Sequence, residues 1–188
     1  AETILPLTSG TPTLNTTRAH RNTAIAFKTR VYLSMQKYAD VITQANKIVP
    51  AIAPFKAATG VAHELEADYT NLFKAPYTSA ESILLMPFAS NEAPGTQNQL
   101  GYYYGPPALN GGNGEYSLLS TGITSNAGWK AADRRKSFIY VSAGKNWLSK
   151  YPTGGLFIDY APVIRYAEVL LNLAEARVRS TNTVDPQA

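Results

Sequence analysis

The stretch Ala89–Trp129 constrains this chain more than any other. Its 41 residues carry two charges, Glu92 and Glu115, with eight glycines and three prolines, including the runs GYYYGPP and NGGNGEY. Glycine and proline at that density set turns and interrupt both helix and core strand. A segment this long without regular structure inside a compact domain is either a functional loop or disordered chain. The rings of Tyr102, Tyr103, Tyr104, Tyr116 and Trp129 argue for order, because burying them or stacking them on a ligand offsets the entropy lost in fixing the backbone.

The flanking regions read as helices. Between Thr17 and Val49, the residues Ala24, Phe27, Val31, Tyr32 and Met35 recur at helical spacing. Tyr38, Val41, Ile42, Ala45, Ile48 and Val49 then repeat the period until Pro50 and Pro54. The pattern predicts a helical hairpin over 17–50 with the outline of one tetratricopeptide unit. A shorter helix is expected over 62–74, and strands over 83–88, where Pro87 marks an edge, over 138–141 and over 156–158. The longest helix is expected over 162–180, with Pro162 in its first turn. Its apolar face (Tyr166, Ala167, Leu170, Leu171, Ala174, Val178) is wide enough to need at least one more helix to cover it. Arg165, Glu168, Asn172, Glu175 and Arg179 form its polar stripe, with sign-matched neighbours. The tail over 181–188, with Pro186, reads as a linker. The expectation is one domain over 1–188, mainly α. It has tetratricopeptide-like helical hairpin packing, a long irregular, loop-rich region over 62–161 and a few short β-strands.

Composition closes several routes to function. The chain has no cysteine, which removes disulfides, thiolate metal sites and thiol catalysis within these residues. His63-Glu64 opens like a zinc-protease helix, but Ala67 stands where the second histidine would be. Glu64, Glu66 and Asp68 are read as the acidic first turn of a helix rather than as a hydrolase pair. No serine lies in a G-x-S-x-G context, and NGGNG lacks the Lys-Ser/Thr of a phosphate loop. Neither a cofactor nor a metal is expected. The net charge of +4 is spread out, with Arg134, Arg135 and Lys136 as its largest cluster, so nucleic acid is not expected as a partner. No run approaches the ~18 apolar residues of a membrane span, and the first residues lack the pattern of a signal peptide.

What remains is a binding surface of many rings, few charges and 42 Ser, Thr and Asn residues. Sugars are bound in this way, by aromatic faces against C–H surfaces and by uncharged side chains on hydroxyls. Composition alone nominates Tyr102, Tyr103, Tyr104, Trp129 and Trp147 as stacking rings.

The helical segments also resemble a known family. Arg18-Ala19, the run ending in Arg30-Val31-Tyr32-Leu33, Lys37-Tyr38-Ala39 and Ala45-Asn46-Lys47-Ile48 are similar to the hairpin of the SusD/RagB family of outer-membrane nutrient-binding lipoproteins. Pro162–Asn172 with Ala174-Glu175-Ala176 resembles that family's most recognisable helix. Glu81-Ser82-Ile83 resembles its strand, and Asp133 with Arg135 its Asp-x-Arg element. Lys28 and Thr29 depart from its usual residues, and Gln36 replaces a turn glycine. The resemblance implies a central fragment of a longer, lipid-anchored protein at the outer membrane on the cell surface. It also implies non-catalytic binding of oligosaccharides, delivered to a SusC-like TonB-dependent transporter. Some relatives handle peptides instead, and a structural helical-repeat adaptor with only protein partners is the other alternative. For a fragment, part of the apolar face of the last helix is expected to be exposed or covered by another copy.

Overall fold

In the computed structural model, which describes residues 2–93 and 99–182, thirteen short and long elements fall into two compact units. The first comprises Ala1–Leu72, Pro76–Met86 and Pro162–Ala188; the second comprises Phe73–Ala75 and Pro87–Ala161. Most of the expected linker, including Pro186, and residues 94–98 of the glycine-rich stretch lie outside the described residues.

The first unit starts with helix α1 (Pro12–Thr17), where the Thr11 Oγ1 accepts from the Leu14 N–H at 3.2 Å and proline fills the first turn. Helix α2 (Arg21–Ser34) follows, with the His20 N–H donating to the Thr23 Oγ1 at 3.2 Å. It closes on Gln36 at φ 57, with the N–H of Gln36 donating to Leu33 O and that of Lys37 to Tyr32 O, both at 2.9 Å. This is a Schellman stop, so the residue that stands in place of a glycine carries the left-handed conformation that a glycine would take without strain. Helix α3 (Tyr38–Ala45) completes the expected hairpin.

Strand β1 (Ser82–Met86) stops before Pro87, which has no N–H to give a ladder. It pairs with β4 (Ala161–Arg165). The last helix therefore differs from the sequence reading. Residues 162–165 are strand, and helix α6 runs over Tyr166–Thr181 with Arg165 extended as its N-cap. Arg165 is turned away from Glu168: its Nη1 donates to the buried Glu81 carboxylate at 2.8 Å. Glu168 instead takes a bidentate grip from Arg30 (2.5 and 2.7 Å), tying α2 to α6. The Glu175–Arg179 pair forms as expected, at 2.6 Å.

Helices α2, α3 and α6 pack on one another, and α1 and α2 pack on β1. Ile25, Ala26, Ala45, Ile48, Val49, Ile83, Ile164, Tyr166, Val169 and Leu173 make their core. The buried side of α2 is not the one its apolar spacing indicates. Asn22, Thr23 and Thr29 are buried, while Val31 and Met35 are about half exposed. The polar residues are satisfied there: the Asn22 amide donates to Thr59 O and Val61 O at 3.0 Å, and the Asn172 amide on α6 donates to the Thr29 Oγ1 at 3.1 Å. On α6, Leu171 is 69% exposed and Val178 38%, so part of its apolar surface is open.

The helix expected over 62–74 shrinks to a 3-10 turn over Tyr69–Phe73, because its acidic residues find other partners. Glu64 pairs with Lys56 at 2.8 Å, the Glu66 carboxylate accepts from the Ser79 Oγ at 2.7 Å, and the Asp68 Oδ1 accepts from the N–H and Oγ1 of Thr70. Ahead of them His63 is fully buried. Its ring stacks on the equally buried His20 at 5.3 Å and on Tyr166 at 6.0 Å, and its Nδ1 meets the Ala80 carbonyl at 2.8 Å, so that nitrogen carries the proton.

Burial pushes the His63 pKa from 6.5 down to about 4, against the Ala80 carbonyl and with help from His20. Burial lowers His20 too. A depressed folded-state pKa means that the unfolded chain binds the proton first, so His63 contributes full stability above pH 6.5 and loses it as pH falls towards about 4. The loss expected over that window is about 3 kcal/mol. Chemical denaturation across it should show the slope, and His63→Phe should flatten it. An unchanged slope in the variant would mean that other groups carry the acid sensitivity.

Candidate functional site

The second unit holds all five rings that composition nominates. Tyr102, Tyr103 and Tyr104 lie on a one-turn helix, α4 (Leu100–Tyr104), followed by α5 (Pro107–Asn110). Among its described residues, the stretch read as irregular thus contains two short helices and a 3-10 turn over Ile123–Ser125. The chain then comes back along α4. The Asn113 N–H donates to Tyr102 O at 2.8 Å and the Tyr116 N–H to Tyr103 O at 3.4 Å. This return requires glycine. A Cβ on Gly112 would stand 2.0 Å from the Gly105 carbonyl oxygen, inside any permitted contact. The NGGNG run therefore serves backbone approach, and its product is the placement of Tyr116 beside the α4 tyrosines.

The rings join into a continuous path. Phe157 meets Tyr102 edge-on at 5.3 Å, Tyr102 meets Tyr103 at 5.3 Å, and Tyr103 meets Tyr116 at 6.0 Å. Tyr116 adjoins Tyr104 at 6.1 Å, and Tyr104 adjoins Tyr151 at 6.5 Å with planes 34° apart. Tyr151 continues edge-on to Phe73 at 6.3 Å, and Phe73 to Phe138 at 5.5 Å. Edge-to-face contacts of this kind hold rings in fixed orientation. Tyr116 is 58% exposed and Tyr104 39%, with Tyr151 half-buried between Tyr104 and Phe73, so the middle of the path is an open ridge with packed ends. Tyr102 and Tyr103 are half-buried supports. Burial among the rings, then the Glu115 carboxylate, raise the Tyr103 phenol above its usual range.

The two tryptophans sit apart from this path. Trp147 is 5% exposed, in the hairpin of β2 (Ile139–Ser142) and β3 (Lys145–Leu148), opposite Tyr140. Ala143 and Gly144, both with positive φ, make the two-residue turn. The Trp147 indole N–H donates to Ser142 O at 3.1 Å and Gly114 lies against the ring, so this side chain is part of the hairpin's own core. β3 was not expected from the sequence, and the strand expected over 156–158 does not form, because Phe157 has φ 51 after two glycines. Trp129 stands over a 3-10 turn, Arg134–Phe138, with the Lys136 ammonium 5.3 Å from its ring centre. Asp133 caps that turn and is gripped by Arg135 (Nε at 2.9 Å, Nη2 at 2.5 Å), which pulls its pKa down to about 2, with the Trp129 indole adding to the effect.

Sequence reasoning named Tyr102–Tyr104 but left Tyr116, Tyr151 and Phe73 out of the site. Tyr116 had a signal, since it ends NGGNGEY. Tyr151 had a weaker one, the Tyr-Pro before Gly154-Gly155. Phe73 had none, because it joins the ridge from far back in the chain.

No protein-family model and no curated protein matches the chain. Solved structures do. A SusD superfamily protein from Bacteroides fragilis superposes with a TM-score of 0.75 at 27% identity, over 97% of this chain and 38% of its own. The fold is that of the SusD superfamily. A laminarin-binding SusD-like protein matches 92% of this chain and 46% of its own with a TM-score of 0.71 at 18% identity. Surface glycan-binding protein A from Bacteroides fluxus matches 98% and 45% with a TM-score of 0.68 at 18% identity. The chain thus spans less than half the length of these SusD-like neighbours. Among the described residues helix outweighs strand, the strands are few and short, and no helix is long and apolar enough to cross a membrane.

Proposed function

We propose that this chain binds glycans at a bacterial cell surface without altering them, and that the exposed tyrosine ridge is where they bind. The observation that carries the reading is the open run Tyr116–Tyr104–Tyr151, with ring centres about 6 Å apart, comparable to the length of one sugar residue. Two neighbours of the same fold are named for binding laminarin or surface glycans, which supports a carbohydrate ligand in general. In this reading Tyr104, Tyr116 and Tyr151 stack on the sugar, and Tyr103 holds the edge of Tyr116 with Tyr102 bracing it from behind. Trp129 is an outlying ring, and Trp147 supports the β2–β3 hairpin. The finer picture follows the family resemblance. The tetratricopeptide-like α2–α3 hairpin and α6 serve as scaffold, their exposed apolar residues meet protein, and the glycan passes to a SusC-like TonB-dependent transporter in the outer membrane.

Calorimetric titration of the chain with a panel of oligosaccharides and short peptides tests the proposal. Saturable heat with at least one sugar class is the expected result. Heat with peptides alone would replace the glycan by the peptide reading, and silence across the panel would leave the chain as scaffold with protein partners only.

A further inference from the structure

The open ridge ends at a cation. The Lys150 ammonium stands 4.0 Å from the Phe73 ring centre and 5.5 Å from that of Tyr151. A lysine over ring faces keeps its charge while its stem packs, so the position of the charge is fixed in advance of any ligand. The arrangement recurs in this unit, with Lys136 over Trp129 at 5.3 Å and Lys145 over Trp147 at 5.9 Å. Composition leans the same way. The second unit's sequence carries seven Lys and Arg against four Asp and Glu, three of the chain's four net positive charges. Two of those carboxylates are engaged. Asp133 is gripped by Arg135, and the buried Asp159 accepts from the Thr153 N–H at 3.0 Å and its Oγ1 at 2.7 Å. At the other end, Glu115 is exposed, directly precedes Tyr116 in the chain and acts through space on the Tyr103 phenol. The ridge therefore differs in charge between its ends, with a cation at the Tyr151 end and a carboxylate at the Tyr116 end.

We propose that the ridge takes an acidic glycan, one bearing a carboxylate or sulfate, and that Lys150 reads that charge at the Tyr151 end. The proposal rests on the reading of the ridge as a glycan site and adds the class of glycan. A sugar lying on Tyr104 and Tyr151 has its acidic group beside the ammonium, and Glu115 repels the opposite orientation. Charge pairing at a partly buried site fixes specificity and weakens with salt.

Affinity electrophoresis of the chain in polygalacturonate, carrageenan, laminarin and mannan separates the outcomes. Retardation by an acidic polysaccharide, reduced by salt and weakened about tenfold by Lys150→Gln, supports the proposal. Polygalacturonate acting alone would assign the charge to a carboxylate, and carrageenan acting alone to a sulfate. Lys150→Met, which keeps the stem over the rings, should lose the acidic ligand equally. Retention by laminarin or mannan only, or acidic binding indifferent to Lys150→Gln, would overturn the charge-reading role; Tyr104→Ala sensitivity would then keep the glycan site. Retention by none of the four, with no oligosaccharide heat in calorimetry, would overturn both.

Discussion

Replacing Tyr166 with alanine is expected to destabilise the helical unit by about 4 kcal/mol, the size usual for losing a large buried ring and leaving a cavity. Tyr166 is fully buried at the start of α6, in the core formed by α2, α3, β1 and β4. Its hydroxyl lies between two carbonyls, Phe55 O at 2.6 Å and Ile48 O at 3.0 Å, and burial holds the phenol up at about 12, so the proton is always there to donate. Tyr166→Phe keeps the ring but leaves those carbonyls short of a donor, with an expected loss of about 1–3 kcal/mol. Urea denaturation of the two variants separates cavity from hydrogen bond. Equal stability of Tyr166→Phe and the parent chain would mean that the hydroxyl is not what ties the 48–55 segment to α6.

The second large effect belongs to the ridge. Tyr104→Ala combined with Tyr151→Ala should weaken the glycan bound by the parent chain by about 2 kcal/mol, near thirty-fold, at roughly 1 kcal/mol for each stacked ring. Both rings are partly exposed at the open middle of the path, so most of that loss should appear in binding, with stability changing by about 1 kcal/mol. Trp147→Phe is the contrasting variant, because its buried ring and the bond to Ser142 O serve the β2–β3 hairpin. It should cost stability before affinity. If the double tyrosine variant bound as tightly as the parent, the ligand would lie elsewhere on the chain.

Local pattern carried much of this fold, and non-local pairing accounts for most of what it missed. The α2–α3 hairpin was legible because its apolar period breaks at Pro50 and Pro54, and α6 because six apolar and five polar residues over 165–179 repeat at helical spacing. Residues 162–165 were not legible as strand. Val163 and Ile164 fit either state, and only β1, some eighty residues earlier, decides between them. The same reason explains the acidic run after His63. Glu64 and Glu66 look like a helix start until Lys56 and Ser79 are seen to hold them. The buried face of α2 was misread because Asn22 and Thr29 are inside, paying their desolvation with bonds to Val61 O and Asn172 that no spacing rule reports. In the candidate site, the tyrosine triplet stood out by composition. Tyr151 and Phe73 could be added only once the fold had brought them to Tyr104.

The most direct test of the glycan site is residue-resolved: an NMR titration of the chain with isotope-labelled tyrosine against the best-binding oligosaccharide of the panel. Saturable shifts at Tyr104, Tyr116 and Tyr151, with Tyr166 unmoved in its core, are the predicted result. Saturable binding that leaves those three signals in place would contradict the ridge as the site.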